Sequence, residues 1–148
     1  CYPISFSNKL ANINKKNNLG KIESKGKIGL TGVDEFAKAS ITYENNSFAS
    51  DISVSINKKQ DGLAIISGTN GKILVPNLIT PNKNYSLVVN EKEYNFFGND
   101  LYTYIIRDTQ NYIIDGICEA NKEGLNWKEM KLNCEMIDLW KSQIYKYN

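Results

Sequence analysis

The sequence predicts an α+β fold that is mostly β, an antiparallel meander with two short helices. Three observations carry this. Apolar and polar residues alternate in most segments between residues 21 and 97, which is the period of strands with one wet face. Asn, Gly and Asp cluster where these segments meet, as hairpin turns require. Only two stretches place apolar residues at helical spacing, and both are short.

Taken in order, Phe6, Leu10 and Ile13 stand four and three residues apart behind the candidate caps Ser5 and Ser7, predicting a short helix that ends in the polar run 14–18. Residues 1–5 are expected to be a tether. After Gly20, the residues Ile22, Ser24, Gly26, Ile28 and Leu30 alternate with Glu23, Lys25 and Lys27 in a strand over 21–30. Strands over 36–43, through Ala37, Ala39, Ile41 and Tyr43, and over 51–56, through Ile52, Val54 and Ile56, flank a turn at Asn45, Asn46 and Ser47. Residues 57–62 form a second turn, 63–68 a strand, 69–72 a turn on Asn70 and Gly71, and 73–75 another strand. Pro76 and Pro81 bracket a loop, Tyr85, Leu87 and Val89 alternate before the charged turn 90–93, and residues 94–97 continue the hairpin. Asn99 is the candidate cap of a helix with Leu101, Tyr104 and Ile105 on one face, closing at Arg107 and Asp108. Residues 112–119, 128–132 and 135–145 read as three final strands. No repeat, linker or low-complexity block divides the chain, so one domain over residues 1–148 is expected.

Composition removes several function classes. The 18 basic and 16 acidic side chains give a net charge of +2, and Arg107 is the sole arginine, so nucleic-acid binding is not expected. There is no histidine, which excludes triads with an imidazole base and histidine-ligated zinc. The carboxylate pairs Asp34/Glu35 and Glu91/Glu93 fall in turns, where solvated carboxylates are the rule. Gly62, Gly68 and Gly71 precede no helix and no Lys-Ser or Lys-Thr pair, so they read as turn glycines rather than a phosphate loop. The doublets Lys15/Lys16 and Lys58/Lys59 read as solvated. A non-enzymatic protein with no cofactor and no metal is expected.

Cys1 opens the numbered chain. A mature chain starting at cysteine has the form of an envelope lipoprotein acylated on that thiol, and its acyl chains would hold the domain on a membrane. Cys118 and Cys134 have fifteen residues between them. Read as lying on neighbouring strands they form either a bridge, contributing about 3 kcal/mol in an oxidising compartment, or two buried free thiols. Nine Tyr, five Phe and two Trp provide a large apolar surface with few helices to cover it. A hollow apolar site for an acyl chain and a filled sandwich core both fit that surplus.

The order of elements resembles the LolB-like family of outer-membrane lipoprotein acceptors. Lys25-Gly26-Lys27-Ile28-Gly29-Leu30 is similar to the family's first strand, and the segment from Ala37 to Tyr43 to its second. Asn99-Asp100-Leu101-Tyr102-Thr103-Tyr104-Ile105-Ile106 is similar to its helical segment, with Tyr104 in place of a tryptophan, and residues 137–145 to its last strand. The resemblance implies a meander curved into a half-barrel with short helices as a lid. It further implies a monomer in the bacterial outer membrane, facing the periplasm, that takes acyl chains of lipoproteins from a LolA-like periplasmic carrier. Ile28, Leu30, Ile41, Tyr43, Ile52, Val54, Leu101, Tyr104 and Ile105 are the expected lipid-binding walls and lid. Residues 57–62 lack the bulky apolar residue that the family uses for delivery. The alternative is a lipid-anchored assembly factor of β-sandwich type acting through protein contacts.

Overall fold

The computed structural model describes residues 1–13, 21–43, 48–79, 83–98, 100–118 and 126–146. The expected polar run 14–18, the release at Gly20, the turn at Asn45 to Ser47 and the cap Asn99 lie outside the described residues. Where one core was expected, the chain gathers into two compact units, residues 1–60 with 121–148, and residues 61–120.

The first unit holds α1 (Tyr2–Ile13), β1 (Lys21–Ile28), β2 (Asp34–Thr42), β3 (Ala49–Ser55) and α3 (Trp127–Lys146). The strands form an antiparallel sheet in the order β1-β2-β3. Register sets Ile22 opposite Ile41, Ser24 opposite Ala39 and Ala39 in turn opposite Ile52, and Gly26 opposite Ala37 and Ala37 in turn opposite Val54, so these residues share one face. Glu23, Lys25, Lys27, Lys38 and Asp51 take the other, which explains the alternation in the sequence. The small residues at the centre of the buried face let a helix approach closely. A Cβ on Gly26 would stand 2.8 Å from the Phe36 carbonyl oxygen and 2.9 Å from Ile144 Cγ2.

Three expectations are corrected here. The residues expected to be a tether form the first turn of α1, where Ile4 is fully buried. Among the described side chains the buried stripe of that helix is Ile4, Ser7, Asn8 and Ala11, with Phe6 and Leu10 of the expected face only partly covered. Polar residues occupy it because each finds a partner: Ser7 Oγ lies 3.0 Å from the Tyr43 hydroxyl, which donates to Asn8 Oδ1, and Asn8 Nδ2 donates to Asn133 Oδ1 at 2.7 Å. The two strands expected over 128–145 are the single helix α3, whose buried residues Asn133, Met136, Trp140 and Ile144 recur at helical spacing. A reciprocal cap starts it, with Glu129 N–H donating to Asn126 Oδ1 at 2.9 Å and Asn126 N–H to Glu129 Oε2 at 3.0 Å.

One side chain of α3 also closes a sheet edge. Gln143 Oε1 accepts from the Ser24 N–H at 2.8 Å, and Gln143 Nε2 donates to the Ile22 carbonyl at 2.8 Å. The amide thus stands where a further strand would pair with β1.

The second unit holds β4 (Ala64–Gly68), β5 (Gly71–Val75), β6 (Asn84–Val89), β7 (Lys92–Phe97) and α2 (Leu101–Ile114). Its four strands form an antiparallel meander in chain order. The β6–β7 turn uses Asn90 and Glu91 at φ 47° and 70°, the left-handed pair that matches hairpin twist. The Asn90 side chain accepts from the Lys72 N–H at 2.8 Å, tying two hairpin tips together. Gly71, at φ 143°, permits this, since a Cβ there would overlap the Asn90 carboxamide. Asp100 caps α2, and the helix continues through residues 112–114, which were expected in a strand. The half-barrel is therefore corrected to two small antiparallel sheets with helices, neither closed nor curled into a barrel.

Candidate functional site

The residues expected to line one lipid cavity are divided between the two units. Ile41, Tyr43 and Ile52 are buried in the filled core of the first unit, with Ile28 and Val54 packed against it. Leu30 projects fully into solvent from the β1–β2 turn. Leu101, Tyr104 and Ile105 belong to α2 in the second unit. Core packing by α1 and α3 takes up the face that a cavity would need. Cys1, Cys118 and Cys134 are exposed free thiols. The expected bridge is not formed, because residue 134 sits on α3 rather than on a strand beside residue 118.

Tyr43 is the most buried titratable group with a displaced equilibrium. Burial pushes its hydroxyl above the ordinary tyrosine range, against a smaller opposite pull from the Ser7 hydrogen bond. It stays protonated and donates to Asn8. At 2% exposure it pins α1 to the sheet and is closed to substrate.

The accessible surface with chemical character lies on β4–β7. Register places Ile66, Ile73 and Val89 in one row, and Leu87 opposite Tyr94 and Tyr85 opposite Phe96 on the same face. Tyr85 and Phe96 stack with centroids 5.3 Å apart and planes at 12°. Lys92 Nζ sits 5.1 Å from the Tyr94 ring centre. Tyr85 remains 46% exposed, Tyr94 41% and Phe96 39%. Flat aromatic faces of this kind stack on planar rings or on the C–H face of a sugar, and leaving them half wet forgoes apolar burial. The alternation of Tyr85, Leu87 and Val89 was visible in the sequence. Its joining to Tyr94 and Phe96 came from strand register.

Among the described residues no group of three or more Cys, Asp or Glu is placed to hold a metal ion. No described helix is long and apolar enough to cross a membrane.

No family model and no curated protein matches this chain. Solved structures do. An oxidoreductase from Thermotoga maritima matches at 18% identity over 95% of this chain and 40% of its own, with a TM-score of 0.69. A 3-ketoreductase from Actinomadura kijaniata, determined with TDP-benzene and NADP, matches at 14% identity over 97% of this chain and 43% of its own, TM-score 0.73. The aldose-aldose oxidoreductase from Caulobacter crescentus, complexed with glycerol, matches at 6% identity over 99% and 44%, TM-score 0.71. The chain spans about two-fifths of the length of these proteins.

The fold is thus one that oxidoreductases carry, and the LolB-like resemblance is overturned with the acyl-binding role drawn from it. The same likeness contradicts the expectation of a non-enzymatic protein, because the structures that share this fold are oxidoreductases.

Two of the similar structures hold NADP, so the fit of this chain to a dinucleotide can be tested on its residues. They do not fit. Every described strand pair is antiparallel, whereas the dinucleotide fold needs a parallel βαβ unit with a glycine-rich turn. Among the described residues, the strand-to-helix turn of the second unit, β7 to α2, carries the Asp100 carboxylate at the helix start. Hydrogen bonds from Thr103, side chain and then backbone, hold Asp100 below the usual carboxylate range. A fixed negative charge there opposes the pyrophosphate that such a terminus would otherwise attract.

Proposed function

We propose that this chain is the antiparallel, substrate-facing part of an oxidoreductase-type protein, and that the half-covered aromatic face of β4–β7 receives the ring of a sugar-like substrate. The observation that carries this reading is the near-complete match of the chain to two-fifths of several oxidoreductases combined with the absence, among the described residues, of parallel strand pairs. The 3-ketoreductase and the aldose-aldose oxidoreductase among the similar structures support the substrate class. The stacked Tyr85–Phe96 pair supports the mode of contact. Hydride chemistry in this reading belongs to a nucleotide-binding partner or segment, and the chain supplies orientation and exclusion of water at the ring.

Titration with a TDP-sugar and with free aldoses, read by tyrosine fluorescence and calorimetry, tests it. Saturable binding is expected, weakened about fivefold by Phe96→Ala, which removes an interaction of roughly 1 kcal/mol. NADPH added to the chain alone should give no saturable nicotinamide fluorescence change. Tight NADPH binding with no response to sugars would overturn the division of labour. Sugar binding indifferent to Phe96→Ala would overturn the assigned face.

A further inference from the structure

Of the residues on strands β4–β7, the aromatic face carries one charge. Register sets Lys92 opposite Val89, on the face that holds Leu87 and Tyr94, whereas Lys72, opposite Ser67, and Glu93, opposite Val88, fall on the reverse. Every other residue of the four strands is uncharged. Lys21, Lys27 and Lys131 each stand beside a carboxylate, but none of the ion pairs among the described residues includes Lys92. Its contact is with the aromatic row itself. Nζ stands 5.1 Å from the Tyr94 ring centre, and a ring in that position orients an ammonium without neutralising it.

Strand rise puts the Lys92 and Tyr94 Cα atoms about 7 Å apart and that of Phe96 about as far again. The charge therefore stands at one end of the row and the stacked Tyr85 and Phe96 rings at the other. A sugar ring laid against Tyr94 takes water from the Lys92 ammonium. A neutral ring leaves those lost hydrogen bonds poorly replaced, whereas a carboxylate or phosphate on the ring restores them with the attraction of opposite charge. An amino sugar is repelled. No carboxylate on these strands shares the face, so none of them opposes an anion there.

We propose that Lys92 is a specificity-determining residue of this face, selecting sugars whose ring carries a negatively charged substituent. This rests on the reading of the face as a sugar-stacking surface and adds the sign of the charge it prefers. Calorimetric titration of the whole chain with glucose, glucuronate, glucose 6-phosphate and glucosamine tests it, with acetate and inorganic phosphate as free anions. One of the two anionic sugars should bind about fivefold more tightly than glucose, as a largely exposed ion pair allows, and glucosamine more weakly than glucose. Preference for glucuronate assigns a carboxylate, and preference for glucose 6-phosphate a phosphate ester. Lys92→Met, which keeps the stem and removes the charge, should bring the ratio of anionic to neutral affinity to about one, and Lys92→Glu should invert it at unchanged circular dichroism. Phe96→Ala should weaken glucose and the anionic sugars by the same factor and leave the ratio as it was. If glucose and the anionic sugars bind through Phe96 but equally well, if the preference survives Lys92→Met, or if the free anions bind as tightly as the anionic sugars, this proposal is overturned and the stacking surface stands. Binding of none of the sugars, or binding indifferent to Phe96→Ala, would overturn both.

Discussion

The two units solve the burial problem in opposite ways. In the first, a three-stranded sheet is covered on one face by α1 and α3, Ile4 and Met136 are fully shielded, and a hydrogen-bonded chain from Ser7 through Tyr43 and Asn8 to Asn133 fixes how the layers meet. In the second, no large side chain among the described residues is completely buried, and the aromatic face stays half wet. The first behaves as a conventional core, whose polar contacts specify one packing. The second keeps its apolar surface outward, the condition of a surface that acts by meeting something else. Function in this molecule is therefore sought where packing is poorest.

Mutations can break or sharpen that contrast. Met136→Ala should cost about 3 kcal/mol, as expected for emptying a fully buried site, whereas Ile114→Ala, at a position 80% exposed, should stay within about 0.5 kcal/mol. Urea unfolding read by tryptophan fluorescence measures the first directly, since Trp127 and Trp140 both lie on α3. Equal costs at the two sites would abolish the distinction between the units. Gly26→Ala comes next, with an expected loss of about 1–3 kcal/mol from overpacking against the Phe36 carbonyl and Ile144; an unchanged melting temperature would show that α3 does not press on β1. The smallest effect is on α2 and depends on pH. Asp100 has its folded equilibrium held low by Thr103, so its contribution to the helix start is complete above the unfolded aspartate value of about 3.9. That contribution is lost as pH falls through the lower folded value. Helical circular dichroism should be flat from pH 7 to about 4.5 and fall below that range, and Asp100→Ala should remove the acid limb of the curve.

The strands were legible because polar residues fall on one face of each. Ile22 and Ser24 against Glu23 and Lys25 announce β1 whatever packs above it. Helix α3 was not legible as a strand-free segment because its buried stripe includes Asn133, and its Lys, Glu and Asp residues break any long apolar run into pieces of strand length. The signal that identifies it is Asn126 three residues before Glu129, a capping pair. The face of α1 was misread for the same reason. Ser7 and Asn8 are buried through partners 35 or more residues away in sequence, and no local pattern encodes such partners. Among the candidate site residues, Tyr85 and Leu87 were visible as an alternation. Stacking of Tyr85 with Phe96 depended on the register of the β6–β7 hairpin.

The amide of Gln143 on the edge of β1 ties folding to the order of synthesis. Its partners Ser24 and Ile22 precede it by 119 and 121 residues, so at roughly 5–20 residues per second the ribosome leaves that edge open for about 6–24 s. During this interval the nascent chain displays an unpaired strand to its neighbours on the polysome, the state from which edge-to-edge association begins. A ribosome stalled before the codon for Gln143 would release a chain with its first sheet unguarded, and Gln143→Ala would carry the same weakness into the finished protein. The yield of soluble chain should then fall with expression rate more steeply for that variant than for the natural sequence.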